Sequence, residues 1–190
     1  MLIQVVVPSR EDIPKYQELK NDIERLISQI NGEFSESSWV PVHYIHRHLE
    51  RPELLALYRA ADIALITPLK DGMNLVAKEF CATQIGDEGV LVLSEFAGAA
   101  DQLRRGAVLV NPYDTEKVAG AIYQAFHMSP RERKTRMRKM RRKLRREDVF
   151  RWCNRFCAGL QSSGETFRLR KEPGMDFEPL AATMSYSAGS

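Results

Sequence analysis

The sequence predicts an α/β fold, a parallel sheet flanked by helices. Three observations carry that expectation. Short apolar, β-rich runs alternate with longer segments whose apolar residues recur at helical spacing. The segments between them are polar and rich in Gly, Pro, Asp and Asn, the residues of turns. Regular strand–helix alternation then calls for right-handed crossovers, which require parallel strands.

The elements follow in order. Residues 2–7 read as a first strand, and Pro8-Ser9-Arg10-Glu11-Asp12 as a polar turn with helix-start signals. Tyr16, Leu19, Ile23, Leu26, Ile27 and Ile30 define a helix over 13–30, with Asn31-Gly32 expected to close it. A polar loop at 33–38 precedes a second strand at 40–45. Pro52 introduces a short helix at 53–61. Residues 63–67 form the third strand, which Pro68, Lys70, Asp71 and Gly72 interrupt before helical spacing resumes from Asn74 to about Gln84. A turn at 86–89 leads to the fourth strand, 90–93. Phe96-Ala97-Gly98-Ala99-Ala100 makes a small-residue loop and helix start, and 107–110 the fifth strand. Asp114 can cap a helix running to Phe126. Ser129-Pro130 starts a helix over 131–146, and Asp148 one over 149–160. Beyond Gln161, polar residues without periodicity predict a disordered tail, 161–190.

A chain of 190 residues suffices for one sizeable core or one lobe of a larger protein. No apolar run approaches the ~20 residues that span a bilayer, so no membrane partner is expected. The N-terminus lacks a basic n-region and a cleavage site, and reads as a buried strand from its first residues, which points to a missing upstream part. Cys81, Cys153 and Cys157 show no Cys-x-x-Cys spacing and are expected as reduced, buried thiols of a cytoplasmic protein. His43, His46 and His48 suggest no fourth ligand, so no metal is expected. Trp39 and Trp152 are expected to pack in the core or between lobes. The net charge of +3 is unevenly spread: residues 131–146 hold eleven basic residues. Met137, Met140 and Leu144 keep an apolar stripe there, so the charges read as the solvated face of a surface helix. Without interleaved aromatics or a recognised motif, nucleic acid is not an expected partner.

The junction after the third strand carries the chemistry. Asp71-Gly72-Met73-Asn74-Leu75-Val76-Ala77-Lys78-Glu79 places one acid in a tight turn and a second about a turn and a half into the helix. In an open α/β sheet such a junction lies at the carboxyl end of a strand, where ligands bind. The helix start presents free N–H groups and positive dipole to an anion. Gly72 lets backbone approach a ligand with no Cβ in the way. An acid in the helix can accept hydrogen bonds from ribose hydroxyls. A nucleotide-bound ligand is therefore the first hypothesis; an ordinary helix cap with a surface glutamate is the plain alternative.

The nine-residue string resembles the donor-site motif of trehalose-6-phosphate synthases, glycosyltransferase family 20. The resemblance extends through Pro8-Ser9-Arg10, Ile30-Asn31-Gly32, Trp39-Val40-Pro41-Val42, Leu57-Tyr58-Arg59-Ala60-Ala61-Asp62, Ile66-Thr67-Pro68-Leu69, Val90-Leu91-Val92-Leu93-Ser94, Phe96-Ala97-Gly98-Ala99-Ala100 and Val110-Asn111-Pro112-Tyr113-Asp114. It implies a Rossmann-like lobe, the C-terminal half of a GT-B glycosyltransferase, over residues 1–160. The first part of the lobe and the whole N-terminal lobe would be absent. It implies transfer of glucose from UDP-glucose to glucose-6-phosphate, giving α,α-trehalose 6-phosphate with retained configuration and without metal or cofactor.

By the same resemblance, Leu75, Val76, Ala77, Lys78 and Glu79 would line the UDP-glucose site, with Glu79 on the ribose. Asp71 and the amides of Gly72, Met73 and Asn74 would hold the transferred glucose. Arg10 would reach the acceptor phosphate, a task suited to a bidentate guanidinium. Leu49 falls where the family places a residue, often aromatic, beside the uracil. The diphosphate-neutralising Arg and Lys lie upstream of the first strand in such enzymes, so this chain alone is expected to be inactive or nearly so. The missing lobe is an expected partner in cis or trans, and self-association is left open. Glucosylglycerol-phosphate synthesis, or a non-catalytic module binding nucleotide sugar or anion, are the alternative functions.

Overall fold

A computed structural model describes residues 1–8 and 13–167, with side chains described up to residue 160. Among the described residues, five strands and seven helices follow in the order β1 (Leu2–Val6), α1 (Pro14–Phe34), β2 (Val42–His46), α2 (Arg51–Ala60), β3 (Ile63–Ile66), α3 (Leu75–Thr83), β4 (Val90–Ser94), α4 (Ala99–Leu103), β5 (Val108–Val110), α5 (Thr115–Phe126), α6 (Pro130–Arg146) and α7 (Val149–Phe167). The chain divides into two compact units, Met1–Leu144 and Arg145–Ser190. Among the described residues no helix is long and apolar enough to cross a membrane.

All strand pairs are parallel, as the strand–helix alternation requires. They form two groups, β1–β2 and β3–β4–β5, with no hydrogen-bonded ladder joining them among the described residues. The core belongs to the second group. On β4, Leu91 and Leu93 face a cluster with Ala77, Phe80 and Cys81 of α3, Leu103 of α4, and Met137 and Met140 of α6. Val90 and Val92 face the other way, onto Ala121 and Ala125 of α5. A central strand buried on both faces reads as an unbroken apolar run, which is why Val90-Leu91-Val92-Leu93 shows no alternation. In contrast, α1 buries no residue.

Several expectations are corrected. Helix α1 passes Asn31-Gly32 and ends at Phe34. Asn31 does not close it, because its side chain is engaged elsewhere: Nδ2 donates to Val42 O (2.9 Å) and Oδ1 accepts from Val42 N (3.0 Å). A side-chain amide thus copies a ladder bond and pins the helix to the start of β2. Trp39 and Trp152 are exposed and do not pack in this core, Trp152 stacking on Phe156 along α7. Cys81 is buried, and its thiol is pushed up to about 12 by that burial. Cys153 and Cys157 are exposed on α7. That helix continues to Phe167, so residues 161–167 extend a helix and are not the start of the expected tail. No proline falls between Val149 and Phe167 to stop it, and elongation past a formed turn is inexpensive. The remainder of that tail, 168–190, lies outside the described residues. The expected caps at Asp114 and Asp148 are present, accepting from Lys117 N and Arg151 N.

The basic helix α6 spends several of its charges on its own fold. Arg138 Nε and Arg141 Nη1 donate to the two oxygens of Asp87 (2.9 and 2.6 Å), and Arg133 donates to the carbonyls of Ala125, Phe126 and Met128. Burial alone would raise the Asp87 carboxyl; the hydrogen bonds of Arg141 and Arg138 outweigh it and hold the group below the usual carboxylate range. A depressed folded-state value stabilises the fold above the unfolded-state value and is lost as pH falls through the folded one. Asp87→Asn is accordingly expected to lose about 1–3 kcal/mol at neutral pH. Thermal melts should show the gap to the parent chain begin to close below about pH 4, where the unfolded-state carboxylate takes up a proton, and close fully only at the lower pH where the folded one does.

Candidate functional site

The site is built where two adjacent parallel strands end. After β3 the chain makes the Asp71–Asn74 turn, and after β4 it makes the Phe96–Gly98 turn. The two turns touch through backbone: Gly98 N donates to Asp71 O (2.8 Å), and Asp71 pairs with Ala97 in a parallel bridge. Ser94, fully buried at the end of β4, holds its own turn by accepting from Phe96 N (3.1 Å). The approach is so close that a Cβ on Gly98 would lie 2.1 Å from Gly72 O. Glycine is required there for space.

Asp71 organises the first turn. Its Oδ1 accepts from Met73 N (3.0 Å) and Asn74 N (2.9 Å), and its Oδ2 from Asn74 Nδ2 (2.9 Å). The Met73 N–H first, then the Asn74 side chain and N–H, hold its carboxyl below the ordinary carboxylate range. Asn74 sits at φ 63°, in the left-handed region, and caps α3 by accepting from Ala77 N (2.9 Å). Asparagine tolerates that conformation better than most residues because its short amide bonds locally. Of the helix-start N–H groups, Ala77's is taken by the cap; those of Leu75 and Val76 have no partner among the described residues. They are the donors this junction offers to an anion.

The candidate residues fall into three groups. Gly72, Met73, Leu75, Val76 and Glu79 are exposed, Asp71, Asn74 and Lys78 are partly covered, and Ala77 is buried against the core. Met73 N and Asn74 N, expected to face the sugar, are turned onto Asp71 within the loop. Leu49 is covered, at 4% exposure, just ahead of α2. Arg10 lies outside the described residues. Beside Pro8, a groove of about 550 Å³ runs between α1 and the ends of β1 and β2, lined by Val6, Val7, Tyr16, Leu19, Tyr44 and His46. His43 and His46 stand three apart on a strand and so on opposite faces. Among the described residues no group of three or more His, Cys, Asp or Glu is placed to hold a metal.

Two supports were not read from the sequence. Tyr58 of α2 hydrogen-bonds Glu79; burial first, then the Glu79 charge and hydrogen bond, raise its phenol. Gln84 Nε2 donates to Tyr58 O (2.5 Å) and, more loosely, to Ala61 O (3.4 Å), tying the end of α3 to α2. Gly98 had one available signal, a glycine amid alanines directly after an apolar strand.

Paired loops at the carboxyl ends of adjacent parallel strands, beside a helix start, are where open α/β sheets place their ligands. The family model described as glycosyltransferase family 20 matches residues 1–162. The chain belongs to that family, and its fold is the Rossmann-like lobe of a GT-B glycosyltransferase. It is 49% identical over 164 residues to the trehalose-6-phosphate synthase of Mycobacterium avium, matching 86% of this chain and 33% of that one. It is 48% identical over 163 residues to a bifunctional trehalose-6-phosphate synthase/phosphatase of Thermoproteus tenax, matching 86% of this chain and 22% of that one. Among solved structures, an α,α-trehalose-phosphate synthase (UDP-forming) from Burkholderia xenovorans in complex with glucose-6-phosphate superposes with TM-score 0.79 at 44% identity, covering 84% of this chain and 35% of that one. A trehalose-6-phosphate protein from E. coli bound with UDP-2-fluoro glucose also gives TM-score 0.79, at 41% identity, covering 83% and 35%. The chain spans about a third of the length of the M. avium relative.

Proposed function

We propose that this chain is the donor-binding lobe of a retaining trehalose-6-phosphate synthase, which moves glucose from UDP-glucose to glucose-6-phosphate. The observation that carries the reading is the junction itself: unpaired amides of Leu75 and Val76 at the start of α3, with Glu79 exposed about a turn further on. Glu79 accepts the ribose hydroxyls, with Tyr58 of α2 as its neighbour. Cleavage of the bond from the sugar C1 to the UDP oxygen places positive charge on the ring and negative charge on the diphosphate. Helix-start N–H groups aimed at the departing oxygens stabilise that charge. Lys78 adds a cation near the start of α3, and no metal takes part.

Asp71 orients the loop whose Gly72–Asn74 backbone meets the sugar. With glucose bound, Met73 N and Asn74 N exchange the Asp71 carboxylate for sugar hydroxyls. Arg10 binds the acceptor phosphate. The free thiols fit a reducing, cytoplasmic setting. Relatives bound with glucose-6-phosphate and UDP-2-fluoro glucose support this choice of substrates.

The chain alone lacks the rest of the family's length and is expected to show no turnover. Adding the separately purified remainder of a mycobacterial relative should restore formation of trehalose 6-phosphate from UDP-glucose and glucose-6-phosphate. Normal turnover by the isolated chain would contradict the division of labour. An assembled pair that makes no trehalose 6-phosphate would contradict the reaction.

A further inference from the structure

We propose that Cys153 and Cys157 form a two-coordinate site for a soft monovalent metal ion, Cu(I), which bridges one turn of α7. The inference is independent of the reaction catalysed and of the donor site.

Position and access set the pair apart. Both thiols are free and exposed, and neither makes a hydrogen bond among the described residues. Residues four apart lie on one face of a helix. The preceding pair shows that this spacing brings side chains together here: the rings of Trp152 and Phe156, also four apart, stack with centroids 5.4 Å apart and planes 9° from parallel. The thiols occupy the next column of the same helix. Cys81 is no competitor. It is buried in the core of the other compact unit, and burial pushes its thiol up to about 12.

The spacing selects the chemistry. Helical neighbours four apart hold their Cβ atoms about 5–6 Å apart. A disulfide needs about 3.5–4.5 Å, so the intact helix keeps the two thiols from closing on each other. An ion between them adds two metal–sulfur bonds, about 2.3 Å each if as long as a zinc–thiolate bond, and so spans the gap. Thiolate ligands select Cu(I), zinc and iron–sulfur clusters. Structural zinc and iron–sulfur clusters take four protein ligands. Among the described residues no group of three or more His, Cys, Asp or Glu is placed to hold a metal, so only an ion satisfied by two ligands fits. Cu(I) is such an ion. On binding, each thiol releases its proton to solvent, each sulfur donates an electron pair, and the copper stays monovalent. The resulting bis-thiolate complex carries a single negative charge. Between Val149 and Leu160 the chain holds Arg151 and Arg155 and no acid, so the local field favours that charge.

The test is an anaerobic titration in which the reduced full chain competes for Cu(I) with the chromophoric chelator bicinchoninate. The chain should withdraw one ion per molecule. Cys153→Ser and Cys157→Ser should each weaken uptake by about a hundredfold or more, beyond the tenfold to hundredfold that losing an outer-shell partner costs. The double serine variant, which keeps Cys81, should take up none. Both positions are exposed, so these variants leave the core untouched. Moving one thiol tests the spacing. Arg155→Cys in the Cys157→Ser chain puts it two residues from Cys153, about 200° around the helix, and should not restore uptake. No uptake by the unaltered chain, undiminished uptake by either single variant, or uptake by the double variant overturns the proposal. So does recovery with the relocated thiol, which would make spacing irrelevant, or one ion per two chains, which would place the ion between molecules.

Discussion

Gly98→Ala is expected to lower the affinity for UDP by about tenfold or more, and the melting temperature with it. The added Cβ would stand 2.1 Å from Gly72 O and 2.7 Å from Gly72 C. Those are backbone atoms, so no rotamer change relieves the clash. Either the Phe96–Gly98 turn withdraws, breaking the bond from Gly98 N to Asp71 O, or the Asp71–Asn74 turn is pushed off its position at the start of α3. Overpacking of this kind costs about 1–3 kcal/mol. Gly120 supplies the control: it lies within α5 with open space where a Cβ would go, and Gly120→Ala should stabilise by up to about 1 kcal/mol and leave UDP binding alone. Titration calorimetry and thermal melts on both variants check this. Unchanged UDP affinity in Gly98→Ala would mean that the second turn does not position the first.

Asn74 should show the other large effect. Its side chain does two jobs, donating to Asp71 Oδ2 and accepting from Ala77 N, while its backbone sits at φ 63°. Asn74→Ala loses the cap, about 1 kcal/mol, and adds left-handed strain of about another 1 kcal/mol. Asn74→Gly loses the cap but relieves the strain, so about half the loss should return. Chemical denaturation of the three chains separates the terms. Equal stability of the alanine and glycine variants would mean that backbone conformation plays no part, and full stability of both would remove the cap from the account.

The elements themselves were legible because their signals are local. Periodicity located each strand and helix, and Asp114 and Asp148 announced their caps within three residues. What was missed is long-range. Asn31-Gly32 has the form of a helix stop, yet Asn31 is held by the backbone of Val42, eleven residues on. Trp39 and Trp152 are apolar enough for a core, but hydrophobicity does not say whether this chain supplies the surface that covers them. The same holds for the break between β2–β1 and β3–β4–β5: each strand was visible, and their pairing was not. At the site, the motif identified the first turn by resemblance, while the contact of Gly98 with Gly72 depends on two loops twenty-six residues apart meeting in space.

The central claim is that residues 71–79 form a nucleotide-sugar site with Glu79 on the ribose. The most direct measurement is calorimetric titration of UDP, ADP and GDP into the chain and into Glu79→Ala. Loss of hydrogen bonds to a charged acceptor should weaken UDP binding by about 1.5–3 kcal/mol, roughly ten- to a hundredfold, in the variant. Equal binding of UDP by both chains would contradict the assignment.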